Sequence, residues 1–347
     1  MQSTRWGLLS TANINRKLIP AIIESARGEL IAVASRNQKN AETYAKKWKI
    51  PSAFGSYEKM LSSGMIDAVY ISLPNHLHAK WTIKALQSGV HVLCEKPFAT
   101  SLEDVDKMIA ASQESGCVLA EAFMYRHHPQ TKLIGEWVQS GKLGEITLIR
   151  SAFTYRMPSK QRQEDNLNVR LVPEFGGGSL WDVGIYPISI TQYLMGGPPS
   201  WVFGSQQTGE TGVDEVFIGQ MGYSSGPVGE VLAQFSSTFK SPYHTFLEIL
   251  GTGGRMYLTR PFNNLKELQL FLTDRKGKTK QIKVQKKSLY LGEVEDLQAA
   301  ILDGTAPYIS LEETRNHVRT ALALYESART GKKVKLKGSP EVDFLTS

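Results

Sequence analysis

The chain has 347 residues, of which 41% are hydrophobic and 21% charged, with a formal charge of +7. That length exceeds the roughly 250–300 residues one hydrophobic core usually serves, so two domains are expected, and the composition excludes intrinsic disorder. No window approaches the roughly 18 apolar residues of a membrane span, and the N-terminus lacks a basic stretch followed by an apolar core, so neither a membrane segment nor a secretory leader is expected.

The first third alternates short apolar runs with helical patterns, the order of parallel βαβ units. RWGLLS (5–10) reads as a strand and NRKLIPAIIES as its helix, LIAVAS (30–35) as a strand and AETYAKKWK as its helix. A short strand is expected near Ala53. DAVYISLP (67–74), VHVLCEKP (90–97) and VLAEAF (118–123) read as further strands, separated by AKWTIKALQSG and LEDVDKMIAASQESG. Six parallel strands make a doubly wound, Rossmann-type sheet over residues 1–124. Cys94 and Cys117 lie in apolar stretches without metal spacing, which reads as buried thiols in a reducing compartment and gives a cytoplasmic location as the expectation.

From residue 125 to 347 the pattern changes. A helix, HPQTKLIGEWVQSG, precedes EITLIRSAFTYRM, and longer runs rich in Thr, Tyr and Phe follow, broken by Gly, Pro and Ser clusters. This is antiparallel patterning, closed by an amphipathic helix with Val318, Leu322 and Tyr325 at helical spacing. The expected fold class is therefore α/β plus α+β, a doubly wound N-terminal domain followed by a mostly antiparallel open-sheet domain. The basic run from Arg275 to Lys287 has no aromatic residue on which a base could stack, and it reads as the solvated edge of a hairpin rather than a nucleic-acid site.

The turn after the first strand is GLLSTANIN, so the three positions of a G-x-G-x-x-G fingerprint hold Ser10, Ala12 and Asn15. The small side chain of Ala12, the hydroxyls of Ser10 and Thr11, and Asn13 as a helix cap still permit a pyrophosphate at the helix start. After the second strand no acid appears until Glu42. Ser35 and Arg36 suit a 2′-phosphate instead, which favours NADP over NAD, although Arg36 as a plain surface residue stays open.

Pro97 closes the fourth strong strand and leaves Lys96 at its carboxyl end, where ligands sit in open α/β sheets. SLPNHLHAKWTIKALQSGVHVLCEKPFATSLEDVDKM, GGGSLWDVGIYPI (176–188) and the C-terminal EETRNHVRTALALYESARTGKKVKL together resemble the Gfo/Idh/MocA oxidoreductases, over nearly the whole chain. Asp182 with Tyr186, WGLLSTANI and EAFMYRHHPQ are most similar to the branch of dimeric dihydrodiol dehydrogenase and NADP-dependent D-xylose dehydrogenase.

The resemblance implies Tyr186 as acid/base with Lys96 beside it, acting on a secondary or hemiacetal hydroxyl of a sugar, polyol or cyclic trans-diol. A free phenol has a pKa of about 10, and a nearby ammonium favours its ionised form. Asp182 is a third catalytic candidate that would orient Lys96 or bind a sugar hydroxyl, with a helix cap as the alternative. The expected cofactor side comprises Ser10, Thr11, Ala12, Asn13, Ile14, Ser35, Arg36, Leu73, Pro74, Asn75, His78, Glu95, Lys96, Arg126 and Trp181. Solvated loop histidines at His76 and His78, and a core position for Trp181, are the competing readings. Tyr155, Arg156 and Arg170 are candidates for the pocket wall. The adjacent His127 and His128 lack the carboxylate or cysteine that would complete a zinc set, so no metal is expected.

A non-catalytic NADP-sensing regulator is the alternative function, opposed by the presence of both Lys96 and Tyr186. No nucleic-acid or membrane partner is expected. An open antiparallel sheet with one uncovered face predicts a homodimer or homotetramer through that face.

Overall fold

The structure, a computed structural model, describes residues 2–224, 230–263 and 267–336. The runs DEVFIGQMGYSS (214–225) and VGEVLAQFSSTF (228–239) read as strands whose ends at Ser225, Val228 and Gly229 lie outside the described residues, as do the residues after 336. Two compact units make up the chain, residues 1–127 with 287–315 and residues 128–286 with 316–347. The segment 287–315, assigned from sequence to the second domain, thus lies in the first unit.

In the first unit, strands β1 (Thr4–Leu9), β2 (Gly28–Ala34), β3 (Ser52–Phe54), β4 (Ala68–Ile71), β5 (His91–Glu95) and β6 (Leu119–Ala122) form a parallel sheet in the order β3-β2-β1-β4-β5-β6. Helices α1 (Asn15–Glu24), α2 (Gln38–Trp48), α3 (Tyr57–Leu61), α4 (His78–Gln87) and α5 (Leu102–Ser115) connect them. Local chemistry sets several helix ends. Asn37 caps α2 by accepting from Asn40 N at 3.1 Å, and Ser101 caps α5 by accepting from Asp104 N at 3.1 Å. The chain leaves α5 through Gly116 at φ 67°, a conformation glycine adopts without a Cβ penalty.

Trp6, Leu8, Tyr70 and Leu93 form one core of this unit with Leu18 and Ile22 of α1. Its third component is distant in sequence. A helix over Leu291–Asp303 adds Leu291, Val294 and Leu297 to the same cluster, at the spacing that places them on one helical face.

The second unit opens with α6 (Pro129–Gln139) and β7 (Ile146–Arg156), then passes through short 3-10 turns to a single π-helical turn, Leu180–Gly184, that runs into α7 (Ile185–Met195). Strands β8 (Trp201–Thr208), β9 (Asp214–Ser224), β10 (Glu230–Thr238), β11 (Lys240–Gly251), β12 (Gly254–Leu258), β13 (Leu270–Asp274) and β14 (Thr279–Ile282) follow. The helix Leu291–Asp303 is α8, and α9 (Leu311–Thr330) and β15 (Val334–Lys335) end the described chain. Among the described residues these strands form a nine-stranded sheet, β14-β13-β12-β11-β7-β10-β9-β8-β15. All its pairs are antiparallel except β10 with β7, which run parallel at the centre.

Alternate residues such as Ile149, Phe153, Phe217, Met221 and Phe235 are buried on one face. On the other, Ile218 is 53% and Leu232 44% exposed, and Arg150 and Arg255 flank Glu248 at 3.0 and 2.5 Å. The basic run supplies the edge strand β14 and its exposed turn, as the pattern of alternating lysines predicts.

Candidate active site

Four loops at the carboxyl edge of the parallel sheet, after β1, β2, β4 and β5, carry the residues expected on the cofactor side, Arg126 and Trp181 excepted. At the end of β5, Glu95 accepts a short hydrogen bond from the Tyr70 hydroxyl, and its other oxygen lies 3.2 Å from Lys96 N. Lys96 is part-exposed, while Pro97 and Phe98 are buried, and Phe98 N donates to Glu121 Oε1 at 3.2 Å. The Lys96–Pro97 peptide is cis. His78 ties this turn to the end of β4, with Nδ1 at 2.9 Å from Pro97 O and Nε2 at 2.8 Å from Leu73 O. The ring is fully buried, and burial, with a contribution from the Lys96 charge, moves its pKa below the usual imidazole range. Both partners are acceptors, so the neutral ring donates to one carbonyl at a time, and in either tautomer both its nitrogens face backbone rather than a cofactor. Leu73, Pro74 and Asn75 are part-exposed beside it, and His76 is exposed.

The phosphate turn uses hydrogen bonds where the fingerprint has glycines. The Ser10 and Ser72 hydroxyls are 2.8 Å apart, Ser72 Oγ donates to Asn15 Oδ1 at 2.6 Å, and Asn15 Nδ2 donates to Ser10 O at 2.8 Å. Ala12 N closes the turn on Ser10 Oγ at 3.1 Å. The Ser10 hydroxyl, expected to face phosphate, is thus turned inward and holds the loop. Asn13 does not cap α1, because the cap position is Ile14, which makes no side-chain hydrogen bond. Thr11, Ala12 and Ile14 are part-exposed and Asn13 exposed at the helix start, where N–H groups and the dipole favour an anion. Ser72 was not foreseen. Its only signal is a hydroxyl residue ending a buried strand.

At the end of β2, Ser35 is 8% exposed and Arg36 is exposed. The next polar side chains are committed elsewhere, Asn37 to its capping bond and Gln38 to Glu42 at 2.9 Å and Ala53 O at 3.2 Å. Arg36 remains a cation at this strand end, and among the described residues of this loop no carboxylate stands where an NAD site holds the ribose.

In the second unit, the motif 176–188 is anchored by Asp214, a residue the sequence did not single out. Its Oδ2 accepts from Ser179 Oγ and Leu180 N, each at 2.8 Å, and its Oδ1 from the Tyr325 hydroxyl at 2.6 Å. Burial pushes the Asp214 carboxyl up to about 6 against these three donors. Gly178, at φ 124°, has no room for a side chain, since a Cβ would stand 2.1 Å from Asp214 Oδ1. Asp182 is not the cap of this helical segment, whose cap position is Ser179. Asp182 Oδ2 instead accepts from the Tyr155 hydroxyl at 2.9 Å and pairs with Arg170 Nε at 2.8 Å. Tyr186 is 5% exposed, and its ring packs against Phe153 and Phe262 at centroid distances of 5.3 and 5.5 Å. Trp181 lies against Tyr325 at 5.7 Å, in the core of this unit. Arg156 is exposed at the end of β7.

Arg126, expected near a phosphate or substrate, is buried and forms a short ion pair with Glu313, with Tyr308 5.8 Å from its guanidinium carbon. His127 packs on Tyr308 at 5.4 Å, and His128 caps α6 by accepting from Gln130 N at 3.2 Å.

Residues 4–123 match the oxidoreductase family with an NAD-binding Rossmann fold, GFO/IDH/MocA, and residues 131–257 match the GFO/IDH/MocA C-terminal domain. The chain is 35% identical over 335 residues to the D-xylose 1-dehydrogenase (NADP(+)) 2 of Haloferax volcanii, covering 95% of this chain and 99% of that protein. It is 31% identical over 255 residues to the trans-1,2-dihydrobenzene-1,2-diol dehydrogenase of Xenopus laevis, covering 73% and 74%. The 3-ketoreductase of Actinomadura kijaniata, solved with NADP and TDP-benzene, is similar with a TM-score of 0.84 at 26% identity, over 94% and 98% of the two chains. That enzyme has also been solved with a lysine replaced by glutamate or alanine and with a tyrosine replaced by phenylalanine.

Because the carboxyl of Asp214 titrates at about 6 in the fold against an ordinary 3.8, the protonated form is the stabilising one. That stabilisation is complete below the ordinary value and is lost as pH rises through the folded one. Asp214→Asn should remove this slope from the melting temperature measured across the window. A variant with the wild-type slope would count against the assignment.

Proposed function

Because the chain belongs to the Gfo/Idh/MocA oxidoreductase family, we propose that it is an NADP-dependent oxidoreductase of a sugar, polyol or cyclic trans-diol, acting at a secondary or hemiacetal hydroxyl. The observation that carries this reading is Lys96, part-exposed in a turn clamped at the carboxyl edge of a dinucleotide-type sheet. The substrate class follows from relatives that act on D-xylose and on a dihydrodiol.

NADP supplies the hydride acceptor in oxidation and the donor in reduction. The chain's own residues hold it and move the proton. Arg36 grips the 2′-phosphate through its planar, permanently charged fork, and the start of α1 at Thr11–Ile14 receives the pyrophosphate. Tyr186 takes the substrate hydroxyl proton on its phenolic oxygen, or returns it in reduction. The ammonium of Lys96 assists by favouring the phenolate, whose parent phenol otherwise titrates at about 10. Phe153 and Phe262 fix the Tyr186 ring and keep water from its faces. Asp182 orders Tyr155 and Arg170 along the same unit. The lysine and tyrosine substitutions in the A. kijaniata structures concern the same two residue types.

Lys96→Met and Tyr186→Phe should each lower kcat by about 10²–10⁴-fold, the range for a lost general acid or base, with NADPH affinity by fluorescence titration largely kept. Near-normal turnover in both variants would end this mechanism, and NADPH binding by the wild type without turnover across a sugar panel would favour a sensor. Replacing Arg36 by Ala should weaken NADP binding by about ten- to a hundredfold, as expected for a lost charge-assisted contact, and leave NAD binding unchanged. Equal weakening of both cofactors would remove the 2′-phosphate assignment. The open sheet face, with Phe203 36%, Ile218 53% and Leu232 44% exposed, is the proposed surface of a homodimer or homotetramer. Sedimentation as a monomer at every concentration would refute it.

A further inference from the structure

The mechanism above leaves a buried acid unused. Glu293, in the first turn of α8, is 2% exposed, and neither of its carboxyl oxygens has a hydrogen-bond partner among the described residues. An ionised carboxylate in such a place, with no cation or donor on it, carries a desolvation cost of several kcal/mol, which the neutral acid avoids.

The groups facing Glu293 reinforce that choice. From β4 comes the Tyr70 phenol, which shares one packed cluster with Leu291 and Val294 of α8 and donates to the Glu95 carboxyl at the end of β5, and both groups act electrostatically on Glu293. Tyr290, just before α8, interacts with both carboxyls, and Asp296 on the next turn adds another negative group. The turn 124–127 approaches through His127, whose Cβ stands 2.6 Å from where a Cβ on Gly292 would be. The His127 ring is stacked on Tyr308, and Arg126 of the same turn is committed to Glu313. The apolar cluster that α8 joins through Leu291, Val294 and Leu297 includes Trp6 and Leu8 of β1. Helix α1 contributes Leu18 and Ile22, while its charges Arg16, Lys17 and Glu24 are exposed. Burial, followed by the Glu95 and Asp296 charges, holds the Glu293 carboxyl well above the usual carboxylate range.

Glu95 differs from its neighbour in one respect that decides where a proton resides. It receives the Tyr70 hydroxyl on one oxygen and faces Lys96 N at 3.2 Å on the other, so its charge is solvated by protein donors. We propose that Glu95 and Glu293 form a carboxyl pair that carries one proton, held on Glu293, and that Glu293 is thereby a positioning residue for the Glu95–Lys96–Pro97 turn. Two carboxylates in a low-dielectric pocket repel strongly, so ionising Glu293 places a second negative charge behind Glu95 and works against the contacts that fix the turn. The link from turn to turnover rests on the reading of Lys96 given above. The protonation state of the pair does not.

Two measurements test the proposal. Infrared spectra of the wild type at about pH 8, where the Asp214 carboxyl is ionised, should contain a protonated-carboxyl band that vanishes on raising the pH further and is missing in Glu293→Gln. Absence of that band in the wild type, or its persistence in the variant, overturns the proposal, and the wild-type measurement needs no variant to fold. In turnover, Glu293→Gln preserves size and neutrality, so kcat at neutral pH should be unchanged. The alkaline fall of the wild type, about tenfold per pH unit beyond the transition for a single ionisation, should then shift to higher pH or disappear in the variant. An identical alkaline limb in both proteins also overturns it. Since the folded-state value is raised, the stabilisation is full at acid pH and lost as pH climbs through it, so the melting temperature of the variant should gain on the wild type toward alkaline pH. If the band behaves as expected while Lys96→Met is fully active, the carboxyl pair stands and the reading of Lys96 falls.

Discussion

The parallel-sheet unit depends on one buried ring. Strands β4 and β5 end side by side, and the loops leaving them would diverge without a cross-tie. His78 supplies it, spanning Leu73 O and Pro97 O from the first residue of α4. A single imidazole thus registers two loops that are far apart in sequence. It acts at the edge where an open α/β sheet places its ligand, so the position of Lys96 is a property of the core rather than of a loop. Below the same turn, Tyr70 fixes Glu95 from within β4. The turn is braced from the sheet and from the neighbouring loop together.

The second unit solves the same problem with a carboxylate. Asp214, at the start of β9, gathers a hydroxyl and a backbone N–H from the beginning of the π-helical segment and a phenol from α9. The glycines before that segment then have a physical reason. Gly178 must lack a Cβ for Asp214 to come so close, and a Cβ on Gly177 would lie 2.6 Å from Arg170 O. Buried polar groups of this kind are costly unless satisfied, and once satisfied they admit few alternative arrangements. Each unit therefore holds its motif through a buried polar residue whose partners belong to that unit's own backbone and side chains.

Much of the fold was legible in the sequence. Buried runs such as Val90–Cys94 and the glycine exits of helices gave the six parallel strands, because hydrophobic periodicity and backbone stereochemistry are local properties. The family resemblance rested on residues 72–108, 176–188 and 312–336, each a contiguous segment. What escaped depended on distant partners. Period-two patterning does not state strand direction, so the parallel pairing of β7 with β10 was invisible. Ser10 was expected to point outward, yet Ser72, from another strand, draws its hydroxyl inward. Arg126 had every attribute of a ligand-binding arginine until Glu313 was brought to it by a helix nearly two hundred residues away. Asp214 and Glu293 gave no signal at all, since a lone acid in a strand or helix looks like surface.

The placement of α8 bears on how the molecule comes to exist during synthesis. Trp6, Leu8, Tyr70 and Leu93 leave the ribosome early, but Leu291, Val294 and Leu297, which cover the same cluster, emerge only after the entire nine-stranded sheet except its last edge strand. The nascent N-terminal unit must wait with part of an apolar face bare, the condition in which chaperones bind and fragments aggregate. A gene for the dinucleotide unit cut after residue 124 would encode that unfinished intermediate. The two halves are consequently bound together as a single heritable piece, difficult to separate or exchange at their apparent boundary.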